Sequence, residues 1–102
     1  MKYSSDYTME DNGNGFVIEA DRLNKTLVKE IELNTNDIVE VTHQADAGSW
    51  YIQIGKDGKE PVFYGNTSDE FVTFSVEIPE SGTYEIICKG RNEKGNIEFE
   101  IK

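Results

Sequence analysis

Apolar and polar residues alternate with a period of two along most of this chain, the pattern of strands that bury one face and wet the other. The clearest run is Phe71 to Ile78, where Val72, Phe74, Val76 and Ile78 share one parity against Thr73, Ser75 and Glu77. Phe16, Ile18 and Ala20 alternate with Val17, Glu19 and Asp21, and Leu27, Ile31 and Leu33 share a parity that Lys29 interrupts. A lysine there fits a sheet edge, its stem lying over apolar surface and its ammonium in water. Val39, Val41 and His43 then alternate with Glu40, Thr42 and Gln44, and Trp50, Ile52 and Ile54 with Tyr51 and Gln53. Val62-Phe63-Tyr64 follows Pro61 and is expected at a rim, because proline cannot donate to a central ladder. Tyr84, Ile86 and Cys88 form one more inward set, and Ile97, Phe99 and Ile101 the last.

Turn signals separate these runs. They are Asn34 to Asp37, Asp46-Ala47-Gly48, Lys56-Asp57-Gly58-Lys59, Gly65 to Glu70, Ser81-Gly82 and Arg91 to Gly95. The chain is organised around Ile78 to Gly90, where Pro79 stops one strand and Ser81-Gly82 starts the next. Tyr84 is expected to anchor that corner, with its ring in the core and its hydroxyl on a backbone group of the turn. No helical period occurs anywhere. The pattern predicts an all-β, antiparallel two-sheet β-sandwich of about eight strands, jelly-roll-like or immunoglobulin-like. Residues 1–14 carry no sustained period and are expected as a flexible N-terminal arm ending in Asn12-Gly13-Asn14-Gly15, with 15–102 as the sandwich domain.

Composition narrows the function. The 102 residues suit one domain, and 20 acidic against 10 basic residues give a net charge of −10. Such a field repels phosphate, which argues against nucleic acid and anionic membrane surfaces as partners. No segment has the roughly 20 apolar residues of a membrane helix, so membrane insertion is not expected. Met1-Lys2-Tyr3-Ser4-Ser5-Asp6 reads as a start before a polar tether, as in an exported or lipid-anchored protein whose leader has been trimmed. Cys88 is the single cysteine, so no internal disulfide forms and the fold stands on packing.

The succession Asn36-Asp37-Ile38-Val39-Glu40-Val41, Gly48-Ser49-Trp50-Tyr51-Ile52-Gln53-Ile54, Phe74-Ser75-Val76-Glu77-Ile78-Pro79 and Ser81-Gly82-Thr83-Tyr84-Glu85-Ile86 resembles the small β-sandwich domains of secreted proteins and lipoproteins in Gram-positive bacteria. Those domains in turn resemble the pre-peptidase C-terminal domain. The likeness covers Phe16 to Lys102, and its motifs also occur in immunoglobulin-like and carbohydrate-binding sandwiches. It implies a jelly-roll-like extracellular accessory module without catalysis, and it transfers no ligand and no site residue.

The residues offer little chemistry. His43 and Cys88 are the only conceivable nucleophile and base, both inward by parity, and no Gly-x-Ser-x-Gly elbow exposes a serine, so no catalytic residue is assigned and the chain is read as a non-enzyme. Calcium is the sole candidate cofactor, with Glu10, Asn12, Asn14 and Asp21 as oxygen ligands around a glycine turn. A ligand face is expected at Tyr51, Gln53, Tyr64 and Asn66, where flat rings beside amides suit a sugar. The reading is a non-catalytic extracellular or cell-surface accessory module that meets a surface protein or serves a structural role. The alternatives are a carbohydrate-binding module that uses exposed aromatics and a small cytosolic enzyme or regulator.

Overall fold

The computed structural model describes residues 5–67 and 71–102; residues 1–4 of the expected arm, and Ser68, Asp69 and Glu70 of the expected loop, lie outside that range. Among the described residues seven strands form, all paired antiparallel: β1 (Asp6–Asp11), β2 (Gly15–Leu23), β3 (Thr26–Leu33), β4 (Ile38–Gly55), β5 (Phe63–Thr67), β6 (Phe71–Glu77) and β7 (Gly82–Ile101). Two of them are long, at 18 residues for β4 and 20 for β7, and they pair with each other from Val39↔Ile101 to Gly55↔Glu85. The first half of β4 and the second half of β7 lie between β6 on one side and β2 and β1 on the other. The second half of β4 and the first half of β7 lie between β5 and β3. Two layers result, joined through strands that pass from one to the other.

The crossing explains why the expected strand count was higher. Asp46-Ala47-Gly48 and Arg91 to Gly95 were expected to reverse the chain, but each is a corner within a continuous strand. The β4–β7 register slips between Ala45 and Ala47 and again between Ala47 and Ser49, and a bulge bends a strand and lets it change sheets. Gly48 has φ +79, and a Cβ there would lie 2.3 Å from the Asn92 carbonyl oxygen, so the corner requires glycine. The slips also switch the inward parity. Val39, Val41, His43 and Ala45 are buried before the corner, and Trp50, Ile52 and Ile54 after it.

The core lies between the layers. Phe16 stacks on Phe99 with ring centroids 4.6 Å apart, and Tyr84 is buried with its hydroxyl donating to the Glu80 carbonyl oxygen at 2.6 Å, as the corner pattern predicts. Lys29 sits on edge strand β3, as expected from its place in the pattern, and its ammonium reaches Asp11 on β1 at 2.8 Å. That pair bridges the two layers along one side. Along the other, Phe63 of β5 stacks on Phe74 of β6 at 4.7 Å.

The expected arm is corrected over Asp6–Asp11, which pairs with β2 through Tyr7↔Ala20, Met9↔Ile18 and Asp11↔Phe16. Tyr7 packs against the core, and the Lys25 ammonium stands 5.2 Å from its ring centre. Deleting residues 1–11 is therefore expected to lower the thermal midpoint by roughly 5 to 10 °C, since losing one partly buried aromatic removes about 1 to 2 kcal/mol. A midpoint within about 2 °C of the full chain would show that β1 adds nothing to the fold.

Candidate functional site

The outer face of the β5-β4-β7-β3 layer is set by the same alternation that fills the core. With Trp50, Ile52 and Ile54 buried, Tyr51 and Gln53 turn outward and are half-buried. The hairpin from β4 to β5 turns through Lys56 to Lys59, where Gly58 has φ +76, and the returning strand places Tyr64 opposite Gln53 and Asn66 opposite Tyr51. Directly paired residues share a face, so all four expected ligand residues come together. The rows continue across the sheet: Asn66, Tyr51, Lys89 and Thr26 form one, and Tyr64, Gln53, Ile87 and Val28 the next. Four adjacent strands span about 14 Å.

The strip mixes exposed apolar groups with the two amides and the Lys89 cation. Tyr64 is 68% exposed and Val28 50% exposed, which makes them two of the largest apolar groups left to water. The Tyr51 hydroxyl donates to Gln53 Oε1 at 2.7 Å. That bond fixes the amide and leaves its NH2 group as a donor at the surface. Lys89 and Arg91, both exposed, face outward opposite Tyr51 and Ser49.

Away from this face the candidate chemistry dissolves. Cys88 is 1% exposed, and burial pushes its thiol up to about 12, far from a thiolate at neutral pH. His43 bonds Glu93 instead of Cys88: His43 Nε2 and Glu93 Oε1 are 3.0 Å apart, with both side chains fully buried. The Trp50 ring stands edge-on to the imidazole at 6.0 Å. Glu93 was missed because Arg91 to Gly95 was expected to be a solvated turn. Its inward position follows from the parity switch at the corner.

The calcium ligands do not assemble. The β1–β2 hairpin sets Glu10 opposite Val17, and Asp21 lies four residues further along β2, about 13 Å away. Asn12 instead donates to Glu98 Oε2 at 3.4 Å, while Gly13 (φ +92) makes the turn before Asn14. Among the described residues no group of three or more His, Cys, Asp or Glu side chains is placed to hold a metal ion, and no helix is long and apolar enough to cross a membrane.

No family model and no curated protein matches this sequence. Three solved structures similar to it are carbohydrate-binding modules. One is a CBM4 module, at 15% identity and TM-score 0.49, the match covering 96% of this chain and 77% of that one. Another is CBM6cm-2 from Cellvibrio mixtus lichenase 5A, in complex with cellotriose, at 13% identity and TM-score 0.48, covering 96% and 86%. The third is a mutant of the family 29 module CBM29-2 complexed with cellulohexaose, at 14% identity and TM-score 0.45, covering 94% and 76%. The likeness is one of outline, and what those modules bind is a property of theirs.

Proposed function

We propose that this protein is a non-catalytic binding module that holds a glycan chain on the outer face of the β5-β4-β7-β3 layer. One observation carries the reading: Tyr51, Gln53, Tyr64 and Asn66 stand in two adjoining rows of one sheet face. An exposed ring offers a flat apolar surface to the C–H face of a pyranose, and the amides offer donors and acceptors to its hydroxyls. A few polar groups placed beside an apolar platform are the usual make-up of a small-ligand site. The expectation of a surface-protein partner is less well served. A standard protein interface takes about 800 Å² from each side, whereas two rows across four strands cover roughly 200 Å². Export and display at a cell surface belong to the same proposal and rest on the sequence resemblance.

Binding measured by calorimetry against a panel of soluble polysaccharides tests the reading. Tyr64→Ala is expected to weaken binding by about 1 to 4 kcal/mol, the range of an aromatic anchor. Its melting midpoint should stay within about 2 °C of the parent, because the side chain is mostly in water. Binding to no member of the panel, or affinity indifferent to both Tyr64→Ala and Tyr51→Ala, sinks the proposal.

A further inference from the structure

Resting on the glycan reading, we infer that the ligand is an acidic glycan, its uronate carboxylate held by Lys89 and Arg91 beside the Tyr51 ring. Acids outnumber bases two to one in this chain, 20 to 10, and several of the basic side chains are already taken up in ion pairs. Lys29 pairs with Asp11, Lys56 and Lys59 share Glu80, and Lys102 reaches Glu40 and Glu100. Lys89 and Arg91, like Arg22, Lys25 and Lys94, have no carboxylate within ion-pair distance among the described residues, and they differ from those three in standing beside Tyr51. They alternate on β7 with buried Gly90 between them, so both heads project from the face that carries the tyrosines.

Among the described residues that spot is free of acid. Along β7 the next acidic side chain on this face is Glu85, opposite Gly55 and Glu30, about 13 Å from Lys89. That distance exceeds the Debye length of about 8 Å at physiological salt. Much of the negative charge lies on the outer face of the other layer, where Glu98 shares a row with Glu10, Glu40 pairs directly with Glu100, and Glu19 stands opposite Asn96. Those carboxylates point away from the tyrosine face, and the spacing of about 10 Å between the two sheets adds to their distance from a ligand there. A polyanion approaching from this side meets two cations before it meets the net charge.

The chemistry selects a carboxylate attached to a sugar. Lysine supplies a point charge and arginine a planar fork that matches a carboxylate with two parallel bonds. Tyr51 and Tyr64, with Gln53 and Asn66, are suited to the pyranose ring and hydroxyls to which such a carboxylate is attached. A phosphate or sulfate polymer would use the cations and leave the rings idle.

Affinity electrophoresis and calorimetry with polygalacturonate, alginate, neutral β-glucan, neutral xylan, poly(vinyl sulfate) and polyphosphate provide the test. The parent protein is expected to prefer the two uronates, with affinity falling as salt rises from about 50 to about 300 mM. Lys89→Gln with Arg91→Gln should lose at least roughly tenfold in uronate affinity at an unchanged melting midpoint. Lys94→Gln, an exposed cation outside these rows, should lose nothing. A neutral glycan bound equally well by parent and double variant overturns the inference and leaves the glycan reading standing. Preference for poly(vinyl sulfate) or polyphosphate, which carry charge without sugar rings, overturns it as well, since charge alone would then suffice. Binding to none of the six polymers defeats both.

Discussion

Glu93→Ala is expected to cost about 3 to 5 kcal/mol, the loss that follows when one member of a buried pair is removed and the other is left without its partner. Both side chains are fully buried, and the Nε2 to Oε1 contact of 3.0 Å is the sole hydrogen bond either side chain makes among the described residues, with His43 Nδ1 and Glu93 Oε2 unpartnered. Whichever group carries the shared proton, deleting the carboxylate leaves an imidazole in the core with no acceptor or donor. His43→Ala is expected to do the same to Glu93, which has even less reason to be buried alone. For a domain of this size, whose total stability is on the order of 5 to 15 kcal/mol, either change removes a substantial share of it. Replacing both, by His43→Leu with Glu93→Leu, should cost far less than the sum, because an apolar pair of similar volume carries no desolvation penalty. Urea unfolding followed through Trp50, the single tryptophan and a ring neighbour of His43, reads all three variants. A cost below about 1 kcal/mol for Glu93→Ala would mean that the pair does not hold the corner together.

The pair also marks the limit of what alternation alone reveals. Within a strand that buries one face, period two leaves no choice of side, which is why Trp50, Ile52 and Ile54 could be assigned inward and Tyr51 and Gln53 outward from the residues alone. Where two such runs meet, glycine and asparagine serve a reversing turn and a bulged corner equally well. The inward parity is odd through Val39, Val41 and His43 and even through Trp50, Ile52 and Ile54. That switch is visible in the sequence and compatible with both geometries, and only the pairing of Ala45 with Gly95 and Ser49 with Arg91 decides for a corner. β1 escaped notice because an edge strand over one rim of the core needs few apolar residues, here Tyr7 and Met9. The ligand face lay between these extremes. Its residues could be named, but the adjacency of Tyr64 to Gln53 and of Asn66 to Tyr51 depends on the hairpin register that the loop from Lys56 to Val62 sets. Lys89 and Arg91 join them only through the long-range β4–β7 ladder, which no local pattern announces.

Trp50→Ala is the second large effect, expected at about 3 to 5 kcal/mol from the loss of apolar burial plus the cavity left behind. Trp50 is 0% exposed and among the largest of the fully buried side chains, just past the corner where β4 enters the tyrosine-bearing layer. One term opposes this loss. The indole Nε1 has no hydrogen-bond partner among the described residues, and a buried donor left unpaired costs about 1 to 3 kcal/mol. Trp50→Phe keeps most of the ring and deletes that donor, so it should be much milder than Trp50→Ala, while Tyr51→Ala, one position along, should change stability by less than about 1 kcal/mol. Guanidinium unfolding followed by far-ultraviolet circular dichroism measures the three on one scale, independent of the tryptophan signal. The ordering tests the face as well as the core, because a strand that slips by one residue exchanges its two sides completely. Were Tyr51→Ala to unfold the domain while Trp50→Ala was tolerated, the tyrosines, the amides and the two cations opposite them would no longer share a surface. Both the glycan reading and its acidic ligand would then lose their site.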